Sequence, residues 1–482
     1  MAHQSDLIAE DIEQYLQVHE NKELLRFITC GNVDDGKSTL IGRLLFDSKM
    51  IFEDQLQSIE SDSKKVGTQG NKIDLALLVD GLQSEREQGI TIDVAYRFFS
   101  TEKRKFIIAD TPGHQEYTRN MATGASTADL AIILVDARHG VQEQTKRHSF
   151  IVNQLGINKI IVAVNKMDLI DYSEEQFNAI KEDYLAFAAD LGIKSPLFTP
   201  ISALDGDNVV NPSEKMDWYK DGSLMQILDS IDITPETTPE EFRLPVQYVN
   251  RPNHTFRGFA GTINAGSIKV GDEIRVLPAN TTSKVASIVA PAIEGDGTVD
   301  EAFAPMAVTI TTEDEIDISR GDVIVKAQAS ENDSLKISNT VNATIVWMND
   351  KPAVPGKEYL IKHLTTKVSG QIASIEHVIN VNTLETNAAD ALQLNDIASC
   401  NIEFTKQLVL EPYAKNRIMG SFIIIDKISH STVGAGMITS VLDNNDDTRI
   451  TREYSAFEQD LNALVRKHFP EWGTKSINEV LG

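Results

Sequence analysis

The sequence predicts a multidomain chain in which an α/β doubly wound domain is followed by two β-barrel domains. Up to residue 233, nearly continuous apolar runs such as 130–135 and 160–164 alternate with helical patterns, which is typical of a parallel sheet buried on both faces. A segment rich in Pro, Thr and Glu follows, without an apolar period. Beyond it, short alternating strands are separated by turn signals, as in small barrels.

The 482 residues, 41% of them hydrophobic, are enough for about three domains with ordinary cores. Apolar residues between Leu7 and Leu16 have helical spacing and predict a short amphipathic helix, which either packs on the body or contacts a partner. The predicted boundaries are 1–233 for the α/β domain with this helix, 234–244 for a linker, 245–331 for the first barrel, 338–445 for the second barrel and 446–482 for a partly helical tail.

Composition argues against several classes of function. A formal charge of -26, from 71 acidic and 45 basic residues, argues against a broad nucleic-acid surface, although a local basic patch can still bind RNA. No stretch approaches the ~20 apolar residues of a membrane span, and residues 1–10 lack the apolar core of a secretory signal. The two cysteines are too few for a disulfide framework or a metal-ligand cluster. We therefore expect a cytoplasmic protein that binds neither membrane nor nucleic acid.

A phosphate-binding loop is predicted at residues 31–38, which read Gly-Asn-Val-Asp-Asp-Gly-Lys-Ser between an apolar run and a helical pattern. The spacing of Gly31, Gly36, Lys37 and Ser38 fits the loop that binds a nucleoside triphosphate. In such loops backbone N–H groups bind phosphate oxygens, the lysine reaches the outer phosphates and the hydroxyl holds Mg²⁺. The alternative is an ordinary Gly-rich turn. The predicted phosphate contacts are Gly31, Asn32, Val33, Asp34, Asp35, Gly36, Lys37, Ser38 and Thr39.

A second motif, Asp110-Thr111-Pro112-Gly113, follows the apolar run 105–109 and is predicted to contact the phosphates. Ligands of open α/β sheets bind at the carboxyl ends of the strands, where Asp110 can hold Mg²⁺ through water. Gly113 has no side chain to keep its N–H away from the γ-phosphate. Alone, Asp-x-x-Gly is a common turn, but the preceding phosphate loop favours the functional interpretation.

The third motif, Asn165-Lys166-Met167-Asp168, predicts that the base is guanine. A carboxylate can accept two hydrogen bonds from the N1–H and amine of guanine, whereas adenine presents the wrong donors. Ser202-Ala203-Leu204 follows a later apolar run and offers a backbone donor for guanine O6. As a sequence motif, this tripeptide has almost no specificity of its own. The alternative interpretation is an ordinary loop at the end of a strand.

Thr91, in the run Gly89-Ile90-Thr91-Ile92-Asp93, is predicted to bring its hydroxyl to Mg²⁺ when the triphosphate is bound. Its alternative is an ordinary β-branched strand residue. The preceding residues 83–88 are charged and polar, as expected of an exposed switch segment. The predicted metal ligands are therefore Ser38, Thr91 and, through water, Asp110.

Together these motifs resemble those of the translational GTPases, and the resemblance covers nearly the whole chain. It implies a P-loop GTPase domain followed by two β-barrels, with GTP and Mg²⁺ as ligands. The family also has a histidine directly after Asp-x-x-Gly, which implies that His114 is the catalytic residue that orients the attacking water. For His114 alone, the alternative is a surface histidine at the start of a helix.

Asp35 stands where the elongation factors have a histidine. A carboxylate beside phosphates is unfavourable unless it faces away or has a cationic partner. The alternative interpretation is that Asp35 is an ordinary loop residue exposed to solvent. Together with further runs, this variant resembles the GTPase-subunit family of bacterial sulfate adenylyltransferases. Those runs are 81–97, 110–121, 251–253 with 256–261, and 416–422.

This second resemblance implies a GTPase subunit that acts with a smaller catalytic sulfate adenylyltransferase subunit, in a heterodimer or higher assembly. The partner would bind ATP and sulfate and make adenosine 5′-phosphosulfate and pyrophosphate, the first step of sulfate assimilation. Because that product is a high-energy mixed anhydride, GTP hydrolysis would supply the driving force. The alternatives are a translation-factor-like GTPase that binds tRNA or the ribosome, and a GTPase that acts alone as a regulator.

Two smaller expectations concern the second barrel and the tail. No second phosphate-loop pattern occurs in either, so no fused adenylylsulfate kinase domain is expected. Lys406, Lys415 and Arg417 of the second barrel are expected in solvent, and the alternative is that they face the partner or sulfate.

Overall fold

The computed structural model describes residues 22–48, 63, 73, 75–79, 91, 93–114, 117–233, 241–253, 256–291, 297–328, 334–380, 383–442, 462 and 464–467. The predicted N-terminal helix, most of the predicted linker and tail, and residues 80–90 lie outside this description. Residues up to Val441 form one compact unit, and Leu442–Gly482 form a second. In the second unit the structure describes Leu442, and residues 462 and 464–467, which are α-helical.

The α/β domain is built on a six-stranded sheet with the order β2-β3-β1-β4-β5-β6. Neighbouring strands are parallel except at the edge, where β2 runs antiparallel to β3. The strands are β1 (Glu23–Cys30), β2 (Ala95–Ser100), β3 (Arg104–Asp110), β4 (Leu130–Asp136), β5 (Lys159–Asn165) and β6 (Leu197–Pro200). The α-helices described are α1 (Lys37–Asp47), α2 (Thr118–Ala125), α3 (Glu143–Gln154), α4 (Glu174–Asp190) and α5 (Leu224–Ser230). Short 3₁₀ turns span Leu75–Leu78, Met167–Ile170 and Glu214–Met216.

Both faces of this sheet are buried, which explains the continuous apolar runs. Successive side chains of a strand point to opposite faces. Accordingly, Ile133 of β4 packs in one apolar cluster with α3 and α4, whereas its neighbour Ile132 packs in another with α1 and α5. All seven residues of β4 are buried. The predicted doubly wound fold is therefore confirmed.

The first barrel follows the α/β domain and has a core around Phe242, Phe259 and Ile274. Its main sheet has the order β7-β16-β11-β12-β15-β9-β8, with β13 paired to β12, and a bridge between Arg243 and Ala265 closes it. A two-stranded sheet pairs β10 with β14. The strands are β7 (Arg243–Pro245), β8 (Tyr248–Asn250), β9 (Gly258–Thr262), β10 (Ser267–Lys269), β11 (Glu273–Leu277), β12 (Thr281–Val289), β13 (Thr298–Val299), β14 (Glu301–Phe303), β15 (Ala307–Thr312) and β16 (Val323–Lys326).

The second barrel has the strand order β18-β22-β23-β17-β21-β19-β20, and the pairing of β18 with β19 closes it. Its core surrounds Trp347 and Tyr359, whose ring centroids are 5.7 Å apart. The strands are β17 (Lys336–Trp347), β18 (Glu358–His363), β19 (Thr366–Ile379), β20 (Thr386–Asn387), β21 (Ile397–Leu410), β22 (Ser421–Ile425) and β23 (Thr432–Val441). The prediction of two barrels is confirmed, whereas the predicted residue boundaries stay predictions.

The second barrel is joined to the α/β domain by hydrogen bonds from two side chains, one of which, Arg417, was expected in solvent. The Arg417 guanidinium donates to the carbonyls of Ala128 at 3.3 Å and Ser126 at 3.5 Å, just beyond α2. The Tyr413 hydroxyl donates to the Leu155 carbonyl at 2.9 Å, at the end of α3. The expectation of a solvated Arg417 is therefore wrong, because this contact depends on how the domains pack. Lys406 and Lys415 are exposed as expected.

Within the described ranges, no helix combines the length and the apolar content that crossing a membrane would need.

Candidate nucleotide site

The sequence motifs lie at one edge of the α/β sheet, where parallel strands end. The phosphate loop joins β1 to α1, and Asp110 ends β3. Asn165 ends β5, and Ser202 lies two residues after the end of β6. Because the carboxyl ends of parallel strands share one edge, residues far apart in the sequence come together there.

The backbone of the phosphate loop requires glycine at Gly36, the residue directly before α1. Its φ is +92°, in the left-handed region that disfavours side chains. A Cβ atom at this position would also lie 2.5 Å from the Asn165 Nδ2 atom. The loop thus passes directly beneath the Asn165 side chain, and the N–H groups of the first turn of α1 are available to a ligand.

Lys37 is buried within the loop that it is predicted to serve. Its ammonium donates to the carbonyls of Asn32 at 2.8 Å and Gly31 at 3.2 Å. Burial lowers the pKa of Lys37, while nearby Asp110 and Asp35 act in the opposite direction. A Cβ atom on Gly113 would lie 2.6 Å from Lys37 Nζ, so the second motif lies directly against the lysine.

Asp35 faces into the loop rather than into solvent. Asp35 is only 6% exposed, and its Oδ2 atom accepts a hydrogen bond from the Asn32 N–H at 2.6 Å. Burial raises the pKa of this carboxyl, and the Asn32 N–H and the Lys37 ammonium oppose that rise. The alternative of a solvated Asp35 is therefore wrong. Lys37 is the cationic neighbour that a carboxylate in this position requires. The neighbouring carboxylate, Asp34, is exposed to solvent instead.

The predicted guanine end is a network of side chains from the motifs themselves. Buried Asn165 donates through Nδ2 to the Asp35 carbonyl at 2.7 Å and accepts the Ala203 N–H through Oδ1 at 2.9 Å. The Ser202 hydroxyl donates to Asp168 Oδ1 at 2.6 Å and orients that carboxylate. The third motif therefore touches both the phosphate loop and the Ser202-Ala203-Leu204 loop.

Lys166 and Met167 support this network from either side. The Lys166 ammonium donates to the Asp34 carbonyl and pairs with Asp136 at 3.0 Å. Burial acts to raise the pKa of Asp136, but hydrogen bonds from Arg138 and Lys166 outweigh it and hold that pKa below its usual range. Met167 is fully buried in the core. The carbonyl of Leu204 accepts a hydrogen bond from Arg43 of α1.

The predicted metal ligands have the chemistry that Mg²⁺ prefers. The buried Asp110 carboxylate accepts the Thr29 hydroxyl at 3.3 Å, and Ser38 lies in the first turn of α1. In the part of the chain that the structure describes, no cluster of three or more His, Cys, Asp or Glu side chains could hold a metal. At phosphates, Mg²⁺ takes one or two protein oxygens and completes its shell with phosphate and water. Thr91 is half-buried.

His114 directly follows the second motif and is half-buried. Its ring lies 6.1 Å, centroid to centroid, from the ring of Tyr117. Thr111 and Pro112 are buried, and the Thr111 hydroxyl donates to the Thr29 carbonyl at 2.8 Å. The second motif is thus fixed to β1. The chain is buried from Thr111 to Gly113, and His114 is the first residue after them that is partly exposed to solvent.

Sequence reasoning missed three side chains that α3 and the turn before it bring to the site. His148 Nδ1 accepts the Gly31 N–H at 3.1 Å. Gln144 Nε2 donates to the Gly113 carbonyl at 3.0 Å, and Gln142 Oε1 accepts the Asn32 side-chain amide. The signal that could have found them is strand order: β4 lies beside β1, so the helix that follows β4 begins next to the phosphate loop.

Two protein families match the chain. The "Elongation factor Tu GTP binding domain" matches residues 22–235, and the "GTP-eEF1A C-terminal domain-like" family matches residues 340–439. Fold and site together therefore define a GTP-binding protein with an elongation-factor-type GTPase domain.

Curated relatives narrow that class. "Sulfate adenylyltransferase subunit 1" of Cellvibrio japonicus is 60% identical, and that of Saccharophagus degradans is 58% identical, each over 100% of both chains. The same-named protein of Teredinibacter turnerae is 57% identical over 99% of this chain and 100% of its own. The chain belongs to the sulfate adenylyltransferase subunit 1 family, which confirms the resemblance seen in the sequence. The words "subunit 1" imply a partner subunit.

Proposed function

We propose that this chain is the GTP-hydrolysing subunit of a sulfate adenylyltransferase. In this proposal, GTP hydrolysis drives the formation of adenosine 5′-phosphosulfate and pyrophosphate from ATP and sulfate on a smaller catalytic partner. The observation that carries it is the Asn165 bridge, which joins the phosphate loop to the guanine loops through bonds of 2.7 and 2.9 Å. Full-length identity of 60% to a sulfate adenylyltransferase subunit 1 supports the coupled reaction.

GTP binding is assigned to two sets of groups. Backbone N–H groups at the start of α1 and the Lys37 ammonium would bind the β- and γ-phosphates. Asp168, oriented by the Ser202 hydroxyl at 2.6 Å, would accept the N1–H and amine of guanine. The N–H groups of Ser202 and Ala203 already donate to the Asp207 carbonyl and to Asn165 Oδ1, so the backbone donor to guanine O6 from this tripeptide would be the Leu204 N–H.

Turnover is assigned to His114 and to the ligands of Mg²⁺. Ser38 and Thr91 would hold Mg²⁺ by their hydroxyls, and Asp110 would hold it through water. When bound, Mg²⁺ neutralises charge that develops on the phosphates. The His114 imidazole would orient the water that attacks the γ-phosphate. Adenylyl transfer itself would belong to the partner, and this chain would contribute the free energy of GTP hydrolysis.

The test is to co-express the full chain with a candidate smaller sulfate adenylyltransferase subunit and to purify the chain alone in parallel. We expect a stoichiometric complex in which GTP hydrolysis rises when ATP and sulfate are both present. Selenate, a sulfate analogue, should replace sulfate in that effect, and chloride at equal ionic strength should not. GTP hydrolysis that ignores both ATP and sulfate in a confirmed complex would contradict the coupling.

The second candidate function is a translation-factor-like GTPase that binds tRNA or the ribosome. The elongation-factor-type domains favour it. The net charge of -26 and the names of the full-length relatives oppose it. GTP-dependent binding to tRNA or ribosomes, without any sulfate-dependent reaction, would replace the first proposal with this one.

A further inference from the structure

The first three N–H groups of the phosphate loop are all bound within the protein. The Gly31 N–H donates to His148 Nδ1 at 3.1 Å, and the Asn32 N–H donates to Asp35 Oδ2 at 2.6 Å. The Val33 N–H donates to the Asn32 side-chain oxygen at 2.9 Å. The Asp35 N–H also donates within the loop, to the Asn32 carbonyl at 3.3 Å. The loop therefore turns its opening amides inward, and the N–H groups offered to phosphate are those of Asp34, Gly36 and the start of α1.

His148 can hold the Gly31 N–H only as a neutral imidazole. A backbone N–H is always a donor, so Nδ1 must carry a lone pair, which imidazolium lacks. His148 is buried, and burial together with the charges of Lys37 and Arg147 lowers its pKa to about 3. The ring therefore remains an acceptor throughout the physiological pH range.

Gln144 lies one turn before His148 on the same face of α3, because residues four apart are neighbours on a helix. Its Nε2 donates to the Gly113 carbonyl at 3.0 Å. Gly113 in turn lies against Lys37 and the Gly31 carbonyl, where a Cβ would be within 2.6 and 2.7 Å. One helix face thus touches both loops that are assigned to the outer phosphates.

We propose that α3 is the positioning element of the phosphate end: His148 sets the conformation of the phosphate loop, and Gln144 sets the position of Gly113. This inference rests on the proposed GTP site and adds two residues to it. His148 acts on GTP and GDP alike, because it holds the loop that binds the β-phosphate. Gln144 acts on GTP only, because Gly113 is assigned to the γ-phosphate.

The test compares matched variants of the full chain by equilibrium binding of GTP and GDP. His148→Leu removes the acceptor and leaves the buried Gly31 N–H without a partner, so both affinities should fall about tenfold. His148→Asn places an oxygen near the former Nδ1 and should recover most of that loss. Gln144→Leu should weaken GTP several-fold and leave GDP within twofold.

Several outcomes would overturn the inference. The Leu and Asn variants of His148 would bind nucleotide equally well if His148 only fills space, and Gln144→Leu would weaken GTP and GDP equally if it only supports the helix. Should His148→Leu fail to fold, Gln144→Leu still decides, since a lower melting temperature with unchanged GTP and GDP affinities contradicts a positioning role. Wild-type chain that binds no GTP would instead refute the proposed function itself.

Discussion

The two ends of the candidate nucleotide site are held in different ways. At the guanine end, residues of the motifs hold one another: Ser202 holds Asp168, and Asn165 holds Ala203. At the phosphate end, a residue outside every motif adds to the bonds within the loop: His148 binds Gly31. The carboxylate assigned to the base is thus held within the motifs, whereas the phosphate end also depends on a helix that the motifs do not include.

This difference matches the tasks assigned to the two ends. The guanine end has to present the same acceptor whatever phosphate is bound, and a closed network of short bonds suits a fixed shape. The phosphate end has to distinguish GTP from GDP, and Gly113 has to respond to the γ-phosphate. Gln144 of α3 can hold Gly113 in position, because its side-chain amide donates a hydrogen bond of 3.0 Å to the Gly113 carbonyl.

The largest expected effect is at the guanine end, with Asp168→Asn. The amide would present a donor to the N1–H or amine of guanine, and a site built for hydrogen bonds rejects a mismatched partner strongly. We expect GTP affinity to fall by about 10³-fold and xanthosine triphosphate to become the preferred ligand. Competition binding measures both, with Asp190→Asn at the exposed end of α4 as the control. Unchanged GTP affinity would refute the assignment of Asp168 to the base.

Asn165→Ala tests whether the two ends are linked. It removes hydrogen bonds of 2.7 and 2.9 Å and leaves the Asp35 carbonyl and the Ala203 N–H without their partner. Each orphaned buried group costs ~1–3 kcal/mol, so the binding free energy of GTP and GDP alike should weaken by about 3 kcal/mol.

The matched control is Asn153→Ala, since Asn153 donates to the Leu191 carbonyl at 3.0 Å, away from the motifs. It should lower the free energy of unfolding by ~1 kcal/mol without changing nucleotide affinity. If Asn165→Ala behaves in the same way, the bridge supports only the fold.

His114→Ala tests the phosphate end during turnover. Loss of a group that orients the attacking water should slow GTP hydrolysis by about 10²-fold and leave GTP affinity unchanged. Single-turnover hydrolysis in the complex with the partner separates the two quantities. His377→Ala, at a half-buried histidine of β19, should hydrolyse GTP normally. Normal turnover of His114→Ala would remove His114 from the catalytic role.

How much the sequence could predict depends on the range of each interaction. The phosphate loop and the buried strands are local patterns, so Gly36 before α1 and the apolar run of β4 were readable directly. His148 was not, because its contact with Gly31 depends on β4 pairing with β1. Arg417 was misplaced in solvent because its contact with Ala128 depends on domain packing. For Asp35 the sequence left two environments open, a position facing a cationic partner and a solvated loop position. The structure shows that Asp35 is buried, which excludes the solvated position.

The smallest effect is a pH dependence that again separates the two ends, because His148 serves only the phosphate end. Its pKa is about 3 in the folded chain, lowered chiefly by burial, against ~6.5 for an ordinary histidine. Between these values the unfolded chain binds the proton and the folded chain does not. The stability that neutral His148 contributes is therefore complete above about pH 6.5 and is lost progressively as the pH falls towards 3.

At pH 5 this amounts to about 2 kcal/mol of unfolding free energy relative to neutral pH. Urea unfolding of the wild-type chain and of His148→Asn at pH 7 and pH 5 measures it. His148→Asn keeps an acceptor but has no proton to gain, so its stability should fall less between the two pH values. His363 contributes equally to both chains, since burial lowers its pKa too. Equal losses in the two chains would mean that His148 becomes protonated without opening the loop, which would contradict a neutral acceptor for Gly31.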